Sequence, residues 1–194
     1  MKHLAVTIGI LALAAPLAPA ALAQTSTWKS DPSQSKVNFT IRHLSMTDVR
    51  GSIGDVSATI RYDAADVAQS SVSATIGVNT VTTGEDGRDD EIKSSDFFGV
   101  DDFPAATFTS TSVSKNGSGL WIRGNLTLHG VTRPVVLDAQ GPTPPVRGAD
   151  GKPRSSFLAT ATIDRTAFDM GNNYPAAIVG DEVKLQIDLE VIQQ

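Results

Sequence analysis

Apolar and polar residues alternate along most of this chain, and a period of two marks strands with one buried face. Val37, Phe39 and Ile41 share one side of the first run, against Lys36, Asn38, Thr40 and Arg42. Val56, Ala58, Ile60 and Tyr62 repeat the pattern, as do Val72, Ala74, Ile76 and Val78 against Ser71, Ser73, Thr75 and Gly77. Leu120, Ile122, Leu126 and Leu128 alternate with Trp121, Arg123, Asn125 and Thr127. Phe157, Ala159, Ala161 and Ile163 form a further run, and Val183, Leu185, Ile187, Leu189 and Val191 the last. Weaker runs at 49–53, 107–113 and 131–139 bring the expectation to about eight to ten strands.

Only Arg88 to Ser95 reads as helical, with Asp86, Asp89, Asp90 and Glu91 near its start, where acids suit the helix dipole. Parallel sheets need crossover helices, and little of the chain is left to supply them. The pattern predicts an all-β, antiparallel barrel or sandwich, with a long exposed loop at the prolines and glycines from Pro142 to Pro153. No internal repeat and no second domain is visible. In a barrel of about eight strands, inward side chains either fill the interior or leave a ligand cavity. Here large residues (Phe39, Ile41, Ile76) mix with small ones (Ala58, Ala74, Ala159, Ala161). The alanines either leave room or accommodate bulky neighbours, and alternation alone does not choose.

The chain opens as a secretory leader does: Lys2 and His3, an apolar stretch from Leu4 to Leu17, then Ala21-Leu22-Ala23 as a small-x-small cleavage site. The stretch is short and is followed by Pro19, so it makes a poor membrane span. Residues 1–23 are read as a signal peptide, residues 24–194 as the domain, and the periplasm as its compartment. The formal charge is −5, and −6 once Lys2 is removed, which argues against nucleic acid as a partner. There is no cysteine, so stability rests on packing, without disulfides.

Candidate chemistry is sparse. With His3 in the leader, only His43 and His129 remain, and no G-x-S-x-G elbow accompanies them. Two distant histidines without a thiol make a weak zinc site. The acidic run from Glu85 to Glu91 lacks the ligand spacing of an EF-hand and reads instead as a solvated helix start. His43 falls on the inward face near a strand end, as a polar handle at a cavity mouth or as a hydrogen-bonded structural histidine. His129, before Gly130, reads as a turn residue. An outer-membrane barrel would carry aromatic girdles, and aromatics form only 6% of the chain, without banding at strand ends. No catalytic set emerges, although a hydrolase acting on a lipid-like substrate is the alternative to a carrier.

Several motifs follow one another in a distinctive order and spacing. They begin with Trp28-Lys29-Ser30-Asp31-Pro32, Ser35, Val37-Asn38-Phe39, His43 and Gly51. Arg88-Asp89, Ile92, Ser94, Asp96-Phe97-Phe98, Phe103-Pro104 and Phe108-Thr109-Ser110 follow. The block from Gly124 to Val135 and the closing Arg165, Phe168 and Met170 complete the set, which in this order and spacing resembles the YceI family. The chain departs from the family pattern at Gln34 and Glu91, where histidine is usual, and at Ile53 and Asp169. The resemblance implies a lipocalin-like barrel with an apolar tunnel for an isoprenoid chain, such as a quinone tail or polyprenyl compound, and no further cofactor. It also makes a homodimer plausible. On that basis Phe39, Ile41, Val72, Ala74, Ile76, Val78, Leu126 and Ala159 are expected on the tunnel wall. Phe97, Phe98, Phe108 and Phe168 are expected to line or close it, or to pack as ordinary core. His43 and Arg88 are the candidates for the polar head, unless Arg88 holds its helix by pairing with an acid.

Overall fold

A computed structural model describes residues 25–194; residues 1–24, with the expected signal peptide, lie outside the described residues. The strands are β1 (Ser26–Ser30), β2 (Lys36–His43), β3 (Thr47–Ile53), β4 (Val56–Tyr62) and β5 (Ser71–Gly77), followed by helix α1 (Asp86–Lys93). Then come β6 (Ala105–Asn116), β7 (Gly119–Leu128), β8 (Val131–Gln140), β9 (Val146–Arg147), β10 (Pro153–Asp164) and β11 (Val179–Gln193). All pairings are antiparallel, and eight strands close a ring in the order β1-β4-β5-β6-β7-β8-β10-β11. β2 extends β1 along β11, and β3 extends β4 along β2, so the wall is taller on that side. The expected antiparallel barrel with one short helix is therefore the fold.

Each predicted run is a strand, and the weak ones are longer than their patterns suggested. β1 was not among the runs, because five residues carrying one large apolar side chain give no alternation to read. It is nonetheless anchored by Trp28, buried against Ile60, Phe157 and Val191 at one end of the barrel. The helix starts earlier than Arg88 because Glu85 caps it, accepting hydrogen bonds from the Gly87 and Arg88 amides. It ends at Lys93, where Ser94 turns extended. The loop expected from Pro142 to Pro153 contains a short strand, β9, paired to the start of β10.

Two features set the shape of the interior. The β7–β8 hairpin turns on His129 and Gly130, both left-handed (φ 50° and 74°), as a two-residue turn demands. Further along the joint, β8 meets β10 through only three residue pairs, Leu158–Gln140, Ala159–Ala139 and Thr160–Asp138. Beyond them the two strands splay, and the 3-10 turn Arg165–Phe168 packs in that region, with His129 Nδ1 lying 3.2 Å from the Phe168 carbonyl oxygen.

Candidate functional site

Inward side chains halfway up a closed barrel should lose nearly all contact with solvent. Here Phe39, Ile41, Val72, Ala74, Ile76, Leu126, Val183, Leu185 and Ile187 point inward yet are only half-buried. They border empty space. That space is a cavity of about 440 Å³, within the range of small-molecule sites. Its lining on β11 runs from Val179 to Leu189, a rise of about 30 Å. Beyond Leu189 the barrel is packed shut by Trp28, Ile60, Phe157 and the fully buried Val191.

The wall depends on two close approaches. A Cβ at Gly51 would overlap the ring of Phe39, its cross-strand partner, and a Cβ at Gly124 would overlap the ring of Phe108. Glycine at these two places lets the rings lie back against the sheet instead of filling the void.

Twelve of the residues expected from sequence border the cavity: Phe39, Ile41, His43, Val72, Ala74, Ile76, Val78, Arg88, Phe97, Phe98, Phe108 and Leu126. Ala159, expected on the wall, and Phe168, expected to line or close the tunnel or to pack as core, do not border it. Ala159 packs with Ala139, Leu120 and Ile122 at the β8–β10 joint, where the strands are close and no space remains. Phe168, 2% exposed, is wedged in the core beneath the 3-10 turn. Alternation could have found Val183, Leu185, Ile187 and Leu189, which line the cavity on the last strand. It could not have found Ile92, Met170 or Tyr174, which come from the helix and from an irregular loop.

Polar groups on the cavity wall are confined to His43, Arg88, Glu91, Arg165 and Tyr174. Among the described residues the His43 ring makes no hydrogen bond to the protein. Arg88 donates through Nε to Thr83 Oγ1 (2.8 Å) and through Nη2 to the Thr83 carbonyl (3.4 Å). It is thus held by its own loop, and among the described residues it makes no ion pair to an acid. Tyr174 donates its hydroxyl to the Glu91 carboxylate and stacks obliquely on Phe97, tying the loop before β11 to α1. That bond and the negative charge of Glu91 raise the phenol pKa, so Tyr174 keeps its proton.

Arg165 organises this end. Its side chain is 3% exposed and donates to the carbonyls of Met170, Gly171, Tyr174, Val179 and Gly180 and to Asp181 Oδ1 (2.8 Å). One side chain thus shapes the loop that carries Tyr174. Asp89, buried on α1, accepts from Thr83 and Thr82 and braces the loop holding Arg88. The Thr83 bonds, above all, hold its carboxyl below the ordinary aspartate range, against the opposing effect of burial.

A second hollow of about 710 Å³ lies on the outer wall between Arg50 and Trp121. Thr40, Thr160, Thr162, Lys184 and Gln186 line it, so it offers little to a hydrocarbon chain. Among the described residues no group of three or more His, Cys, Asp or Glu is placed to hold a metal ion. No helix among them is long and apolar enough to cross a membrane.

Comparison with known proteins agrees with this geometry. The YceI-like domain model matches residues 28–191. Protein YceI of Salmonella newport (strain SL254) is 40% identical over 162 residues, covering 81% of each chain. Among solved structures, Burkholderia cenocepacia BcnA superposes with a TM-score of 0.73 at 26% identity, covering 83% of this chain and 98% of its own. The Campylobacter jejuni YceI protein gives 0.69 at 30% identity, covering 79% and 90%. A polyisoprenoid-binding domain from Saccharophagus degradans, implicated in plant cell wall breakdown, shares the fold at a TM-score of 0.59 and 16% identity, covering 86% and 98%.

Proposed function

This chain belongs to the YceI-like family, and from that premise we propose that it is a carrier, without catalysis, holding a long isoprenoid-type lipid in its barrel. The observation that carries the reading is the cavity itself, elongated, about 440 Å³, and walled by carbon except for a handful of polar side chains. Each methylene transferred into such a space gains about 0.8 kcal/mol, so a prenyl chain needs little beyond an apolar tube. A polar head, as in a quinone or a prenyl alcohol, would meet His43 and Arg88, with Glu91 and Tyr174 beside them. The polyisoprenoid-binding domain of the same fold is consistent with this ligand class, though at its low identity the likeness speaks for the fold. The leader-like start supports residence in the periplasm after cleavage behind Ala23. A homodimer is part of the same reading.

The test is purification from an exporting host, followed by solvent extraction and mass spectrometry. A prenyl compound in stoichiometric amount is the expected result, and repeatedly lipid-free protein that takes up no prenyl alcohol would overturn it. The hydrolase alternative predicts that an ester-cleaving activity exists and disappears in His43→Ala.

A further inference from the structure

A carrier for a lipid must meet that lipid where it resides, and a prenyl chain does not cross water unaided. The surface beside His43 bears on this requirement. The β2–β3 turn runs Leu44-Ser45-Met46, and the segment before β11 runs Pro175-Ala176-Ala177-Ile178; neither contains an ionisable side chain. The Leu44 amide donates to the Ile178 carbonyl (2.8 Å) and Ser45 Oγ to the Ala177 carbonyl (3.5 Å), which joins the two segments into one lip. Leu44 is 43% exposed, Met46 71% and Ile178 41%, three of the seven large exposed apolar side chains of the described residues.

The lip is continuous with the cavity. His43, directly before Leu44, and Val179, directly after Ile178, both line the interior and pair with each other across β2 and β11. The turn also holds both Leu44 and Ser45 in the left-handed region (φ 52° and 55°), unusual for L residues and costly for a bulky one such as leucine. A fold that only needed a hairpin here would be better served by glycine or asparagine. The nearest charges on β2 and β3, Arg42, Asp48 and Arg50, pair among themselves and leave a single net positive charge. The lip is therefore suited to insertion among acyl chains more than to adsorption by charge.

We propose that this lip is the surface by which the protein docks on a lipid bilayer, placing the mouth of the cavity against the membrane from which its ligand enters. The proposal rests on the isoprenoid reading for its purpose, and its test separates the two. The chain from Gln24 onward, which holds every strand of the closed barrel, is floated with phosphatidylcholine vesicles in ~0.5 M salt, where charge attraction is screened. Farnesol uptake from water is measured on the same preparations.

The wild type is expected to float with the vesicles, and Met46→Ser combined with Ile178→Ser to lower vesicle binding roughly tenfold. Farnesol uptake and melting temperature stay unchanged, since neither residue lines the cavity. If the double variant melts lower, Met46→Ser alone gives the reading, with a smaller loss in the same direction. A wild type that does not float, or a folded variant that floats equally well, overturns the docking surface. Lip-dependent flotation without farnesol uptake supports the surface and overturns the isoprenoid reading instead.

Discussion

Replacing Ala74 by phenylalanine puts the void to a test of sign. Ala74 lies inward between Ala58 and Phe108 on the neighbouring strands and is half-buried despite its place inside a closed wall. If the space before it is empty, the new ring moves from water in the unfolded chain to carbon in the folded one. That gains about 1.5–3 kcal/mol, less about 0.5–1 kcal/mol for the side-chain freedom lost. The lipid-free variant should then be more stable by about 1–2 kcal/mol, with the melting temperature rising by about 2–4 °C per kcal/mol for a chain of this size. If the interior is instead packed solid, the same ring forces strain of about 1–3 kcal/mol and the melting temperature falls. Thermal unfolding of solvent-extracted protein, followed by circular dichroism, reads the sign directly. Farnesol displacement on the same samples should show at least a tenfold loss, because the ring and the prenyl chain compete for one space. A variant that melts several degrees lower and still binds farnesol normally would refute the argument.

Arg165→Met should cost at least about 3 kcal/mol, since it strips partners from several carbonyls and from Asp181 at once, and urea unfolding would measure it. Arg165→Lys, which keeps the charge but not the fork, should fall between the two. Asp89→Asn should lower stability by about 1–3 kcal/mol at neutral pH. Because the folded carboxyl titrates below its unfolded value, its stabilisation is full above about pH 4 and is lost as the pH falls through the native value. The gap between wild type and variant should therefore close in acid, and a gap that stays constant from neutral pH to pH 2 would show that the charge is not what matters.

The wall of the cavity was legible because strand alternation assigns each residue a side. Phe39, Ile41, Val72, Ala74 and Ile76 could be placed on it without knowing how the sheet closes. That the interior is hollow was not legible from alternation, since Ala74 facing a void and Ala159 facing Ala139 look alike in sequence. The difference arises from the β8–β10 joint, where close strands consume the space before Ala159. Gly51 and Gly124 likewise count as weak strand residues until the rings they accommodate are seen. At the mouth, Tyr174 and Glu91 lie 83 positions apart and meet only through the loop that Arg165 folds, so no local pattern could have paired them.

The three pairs linking β8 to β10 leave the container with a short seam on this side. Parting the wall at this joint would sacrifice only a short stretch of ladder, whereas β6 and β7 are joined along most of their length. On the carrier reading, a guest wider than the resting bore is expected to part the wall here, releasing the His129–Phe168 contact beside it, and faster amide hydrogen exchange in β8 on loading would show it.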